Sequence, residues 1–109
     1  MATVQNIYID QGSTFTLSLN VTDQYGDIKD LTEYTVAGQL RKSYYSTSAV
    51  DFIADISLPL EGEITISLSS DQTNNLKPGR YVYDVEISSD IETIRVIEGI
   101  VVVNPGVTR

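Results

Sequence analysis

The chain of 109 residues has no cysteine, no histidine and no tryptophan. Without cysteine there is no disulfide frame, no thiolate zinc site and no cysteine nucleophile. Without histidine the commonest general base, the commonest transition-metal ligand and the usual switch between pH 5 and 8 are gone. Basic residues are also scarce. Seven Lys and Arg against 15 Asp and Glu leave a formal charge of -8, which repels phosphate backbones and anionic lipid, so neither nucleic acid nor a membrane surface is expected as a partner. No window approaches the roughly 18 apolar residues of a membrane span, and the N-terminal stretch lacks a basic segment leading into an apolar one. The expectation is a mature, soluble, single domain over residues 1–109, non-enzymatic and without a cofactor.

What is present is alternation. Apolar residues recur with a period of two, and helical spacing is nowhere sustained. Strands are expected over 4–9; from Phe15 to Thr22, with Phe15, Leu17, Leu19 and Val21 on one face; from Tyr34 to Lys42; from Val50 to Ile56; over 64–68; over 81–87; and over 92–103. Gly38 falls on an inward parity, where glycine marks a bulge or a close approach. In the last strand Ile94 and Val96 lie on one parity but Ile97, Val101 and Val103 on the other, so either both faces are covered there or, as glycine favours, a bulge near Glu98-Gly99 reverses the register. Ser69 and Ser70 suit the cap of a single helical turn that Leu76 anchors to the core.

Seven strands with turn signals every 8 to 12 positions predict an all-β, mainly antiparallel, immunoglobulin-like β-sandwich, with a closed barrel as the alternative. Within it, Leu76-Lys77-Pro78-Gly79-Arg80-Tyr81-Val82-Tyr83 has the form of a tyrosine corner. Gly79 precedes an inward Tyr81 whose hydroxyl would bond the main chain near Leu76, and Tyr83 occupies the usual cysteine position.

Four candidate sites compete with plainer structural roles. Asp23, Asp27 and Asp30 share a loop with Gly26 and have the oxygen chemistry for calcium, but they lack EF-hand spacing and read more simply as solvated turn residues. The carboxylate pairs Glu61/Glu63 and Asp84/Glu86 raise glycosidase chemistry, yet the first flanks a turn glycine and the second lies on the polar face of a strand. Ser69 and Ser70 have no base and no Gly-x-Ser-x-Gly elbow, so no catalytic residue is assigned. The segment Arg41-Lys42-Ser43-Tyr44-Tyr45-Ser46 combines rigid aromatic area with small hydroxyls and two basic residues. Arg41, Lys42, Tyr44 and Tyr45 are therefore the candidate partner-contact loop, with an ordinary hairpin tip as the alternative. The first strand and the tail after Pro105 are further candidates for edge pairing with a neighbouring subunit.

The order of Asp30-Leu31-Thr32-Glu33-Tyr34-Thr35-Val36, Gln39-Leu40-Arg41-Lys42-Ser43-Tyr44, Gly62-Glu63-Ile64-Thr65-Ile66-Ser67-Leu68-Ser69, the tyrosine-corner segment and Glu98-Gly99-Ile100-Val101-Val102-Val103-Asn104-Pro105 resembles a small domain of virion structural proteins of tailed bacteriophages, cyanophages among them. It is also similar to the N-terminal domain of phage baseplate upper proteins. The resemblance spans nearly the whole chain. It implies an immunoglobulin-like attachment or decoration module located in the virion, on capsid, neck, tail or baseplate, binding other virion subunits with homo-oligomers in the particle. It transfers no functional residue. Glu33 departs from the pattern, which has glycine at that place. A glycan-binding or cell-adhesion module is the alternative, weakened by the absence of tryptophan.

Overall fold

The alternating runs form the strands, and the computed structural model describes residues 3–106 apart from Gln24 and Tyr44. Nine strands occur among the described residues: β1 (Thr3–Val4), β2 (Ile7–Asp10), β3 (Phe15–Asn20), β4 (Thr35–Arg41), β5 (Val50–Asp51), β6 (Ile53–Leu58), β7 (Glu63–Leu68), β8 (Gly79–Ser88) and β9 (Thr93–Asn104). One sheet runs β1-β9-β8-β4-β5, with β2 also on β9, and the other runs β3-β7-β6. All pairings are antiparallel except those of β1 and β2 with β9, which are parallel. The two sheets pack face to face as an immunoglobulin-like β-sandwich.

Period-two patterning builds the core, because each strand sends every second side chain between the sheets. Ile7 and Ile9, Leu40, Ile64, Ile66 and Leu68, Val85 and Ile87, and Ile97, Val101 and Val103 are all buried there. Tyr83 lies among them at the position expected of a cysteine, its ring edge-on to Phe52 at 6.0 Å between centroids. Burial pushes its phenol up to about 12, so it stays a neutral donor, and it donates to the Gln5 carbonyl at 2.6 Å.

Three expectations need correction. The stretch Val50–Ile56 is two strands: β5 pairs with β4 in the large sheet, then the chain crosses at buried Phe52 and β6 pairs with β7 in the small one. The first segment is likewise divided, at Gln5-Asn6, into β1 and β2. The bulge in the last strand is at Val96: Val85 pairs Ile97 while Glu86 pairs Arg95, so Val96 is the extra residue and reverses the parity two positions before Glu98. Gly38 does mark a close approach, since a Cβ there would lie 3.0 Å from Val85 Cγ2 and 3.2 Å from Phe52 Cδ2.

Local chemistry sets the connections. Ser69 caps the one α-helix among the described residues, α1 (Ser70–Asn74), through a capping box with Gln72. Glu33 has φ 68°, a left-handed conformation that glycine adopts at less cost.

Candidate functional site

Arg41 ends β4 on the outer face of the large sheet and is engaged on both sides. Its Nη1 donates to the Ser46 carbonyl at 2.6 Å and its Nη2 to Gln39 Oε1 at 3.0 Å. Gln39 in turn donates to Asp51 Oδ1 at 2.7 Å. The guanidinium therefore clamps the loop 42–49 to the strand it leaves. Lys42 turns the other way, with Nζ 4.8 Å from the centroid of the Tyr81 ring, a cation–π contact of modest strength at an exposed site.

Tyr81 itself donates to the Lys77 carbonyl at 2.8 Å, four residues upstream and next to Leu76. Gly79, with φ 139°, opens β8 in a backbone conformation that a side chain would resist. The corner and the loop are thus joined through Lys42. Replacing Tyr81 by phenylalanine removes the hydroxyl bond and keeps the ring beneath Lys42. The expected loss is about 1 kcal/mol, read as a lower urea midpoint at unchanged slope; no loss would show that the corner bond is replaced by water.

At the tip stands Tyr45, 95% exposed; Tyr44 lies outside the described residues. Among the described residues predicted for contact, then, Arg41 and Lys42 brace the loop and Tyr45 is presented. Beside them, on the same outer face, is a shallow concavity of about 660 Å³ whose walls include Gln39, Arg41, Asp51, Asp84, Arg95 and Glu98. Arg95 bridges Asp84 at 3.2 Å and Glu98 at 3.9 Å. Such exposed pairs contribute little to stability, but they hold charged groups in fixed positions that a partner surface can read. In the sequence Asp84 and Glu86 stand only as the polar face of a strand. The signal for a concavity was the outward parity of Gln39, Arg41, Asp84 and Arg95 on adjacent strands, visible once register is known.

The acidic loop is built differently from a metal site. Asp23 Oδ1 accepts from the Tyr25 and Asp27 amides at 2.8 and 3.1 Å, and Asp30 Oδ1 accepts from the Thr32 amide and hydroxyl. Those Thr32 bonds hold the Asp30 carboxyl below the usual carboxylate range. Both carboxylates are engaged in turning their own backbone, and no group of three Asp or Glu gathers at metal-binding distance among the described residues. Nearby, Tyr34 donates its hydroxyl to Glu92, which also pairs with Lys29 at 3.4 Å. These bonds, the one from Tyr34 foremost, hold the Glu92 carboxyl low and tie the segment after β3 to the turn before β9.

Among the described residues no buried side-chain nitrogen or oxygen lacks a hydrogen-bond partner. Polar groups available to a partner therefore lie at the surface.

No protein-family model matches the chain, and no curated protein matches it. Among solved structures, InlP of Listeria monocytogenes is similar over 94% of this chain at 18% identity with a TM-score of 0.51, and this chain spans 28% of that one. A structure described for cell-adhesive interactions of VGSC beta subunits is similar over 93% of this chain and 92% of its own, at 14% identity and a TM-score of 0.48. At such identity the InlP likeness shows the fold alone, an immunoglobulin-like sandwich.

Proposed function

We propose that the chain is a non-enzymatic structural module of a tailed-phage particle that attaches to other virion subunits. The observation carrying this reading is the presented tip. Tyr45 stands free on a loop whose base is clamped by Arg41 and Lys42, beside a polar concavity with fixed charges. A contact surface already held in shape loses little freedom on binding, and tyrosine contributes large area with few rotatable bonds. The order of motifs supports the phage assignment. A charge of -8 supports an exterior location over one packed against DNA.

The test is mass spectrometry with copy counting on purified particles of the source phage, followed by reassembly with Tyr45→Ala. The chain is expected in the particle at a symmetric copy number, and the variant is expected to fold normally yet load at less than about a tenth of the wild-type level. Absence from the particle overturns the reading, and reproducible glycan or cell-surface binding would then return the adhesion alternative. Full loading of the variant would reject the tip as the contact.

A further inference from the structure

Exposed sheet edges invite pairing, and among the described residues the edge strands are short or guarded apart from β3. β5 has two residues, β2 has four and ends in Asp10, and β6 carries Asp55, a register shift between Ile56 and Leu58, and Pro59 just beyond it. β3 has none of these. Its six residues lie within the uncharged run from Gln11 to Thr22, which contains no proline, and it pairs only with β7 among the described residues.

The direction of its free groups follows from the ladder. The Val21 amide donates to the Gly62 carbonyl at 2.8 Å, one step beyond the pairing of Asn20 with Glu63. Antiparallel pairs alternate, so Leu19, Leu17 and Phe15 also bond toward β7. The N–H and C=O groups of Thr16, Ser18 and Asn20 then point away from it, along an open edge. On the inner side Phe15, Leu17 and Leu19 are only partly buried, as expected where a neighbouring strand is missing.

We infer that this edge is a homodimer interface in which β3 pairs antiparallel with β3 of a second copy, joining the two small sheets into one. The pattern is self-complementary about Ser18. With Ser18 on the two-fold axis, Thr16 faces the other copy's Asn20, and Leu17 faces its Leu19, so polar and apolar rows each meet their own kind. Charge selects the same place. Two chains of -8 repel wherever acidic faces meet, and the uncharged strip of β3, flanked on β7 by Thr65 and Ser67 with Glu63 only at its end, lets them approach with little of that opposition.

Sedimentation equilibrium and amide exchange test this. The wild type is expected to reach twice the 12.0 kDa of one chain as concentration rises, with the Thr16, Ser18 and Asn20 amides gaining at least about tenfold protection over the same range. Ser18→Lys places two ammonium groups together at the axis while making each chain less negative than its -8. A folded, monomeric lysine variant is the expected result, and general charge repulsion would not explain it. A lysine variant that still dimerises overturns the proposal, as does a wild type that stays monomeric. Should the variant fail to fold, the wild-type exchange pattern decides: protection of those three amides that is independent of concentration rejects the interface.

Discussion

Replacing Thr73 by valine is expected to destabilise the protein by about 2 to 4 kcal/mol although the two side chains have nearly the same shape. Thr73 is fully buried on α1. Its hydroxyl donates to the Ser13 carbonyl at 2.8 Å, approaches the Ser70 carbonyl at 3.1 Å, and accepts from the Gly12 amide at 3.1 Å. The turn between β2 and β3 is thereby locked to the turn between β7 and β8, about 60 residues on. Valine removes the buried partner of the Gly12 donor and of the Ser13 acceptor, which lie at the edge of the solvent, and each bond lost costs about 1 to 2 kcal/mol. Thr73→Ser keeps the hydroxyl and loses a methyl, at about 1 kcal/mol. Urea titration of both variants ranks them, and a serine variant weaker than the valine variant would refute the lock.

The sequence showed Thr73 only as a member of a capped helical turn, because nothing local announces a partner at Gly12. Alternation did locate β3, β4, β7 and β8, since each has one wet face. It failed between Val50 and Ile56 for a physical reason. The inner faces of both sheets point at the same core, so a chain crossing from one sheet to the other at Phe52 keeps its parity unbroken. The tip loop was legible as composition. The engagement of Arg41 with Ser46 was not, because it depends on how the loop folds back on its own strand, nor was that of Lys42 with Tyr81, which only the antiparallel register of β4 on β8 brings together. Likewise Phe15–Asn20 reads as a strand whether or not its far edge is covered; the open edge is a property of sheet order.

Glycine misled the reading of β9 in an instructive way. Gly99 is not the bulge. It is where the Gln5-Asn6 crossover from β1 to β2, which both pair along the same edge of the last strand, leans over it, and a Cβ added there would lie 2.3 Å from the Gln5 carbonyl oxygen and 2.9 Å from its carbon. Those are backbone atoms held from both sides: the Gln5 amide donates to Glu98 at 2.9 Å, and its carbonyl accepts the Tyr83 hydroxyl at 2.6 Å. Gly99→Ala is therefore expected to displace β1 and the crossover, break the Tyr83 bond and cost about 3 kcal/mol or more. Tyr83→Phe, which loses only the hydroxyl bond, is expected to cost about 1 kcal/mol. Tyr83 supplies an independent readout. With its phenol raised to about 12 by burial, its share of stability is complete below the ordinary tyrosine range near 10 and is lost as pH rises through about 12. In Gly99→Ala the opened crossover admits water to the ring, so a spectroscopic titration should find Tyr83 ionising closer to the ordinary tyrosine value. An unchanged titration together with unchanged stability would mean that the crossover moves aside at no cost, and the close approach would then not explain the glycine.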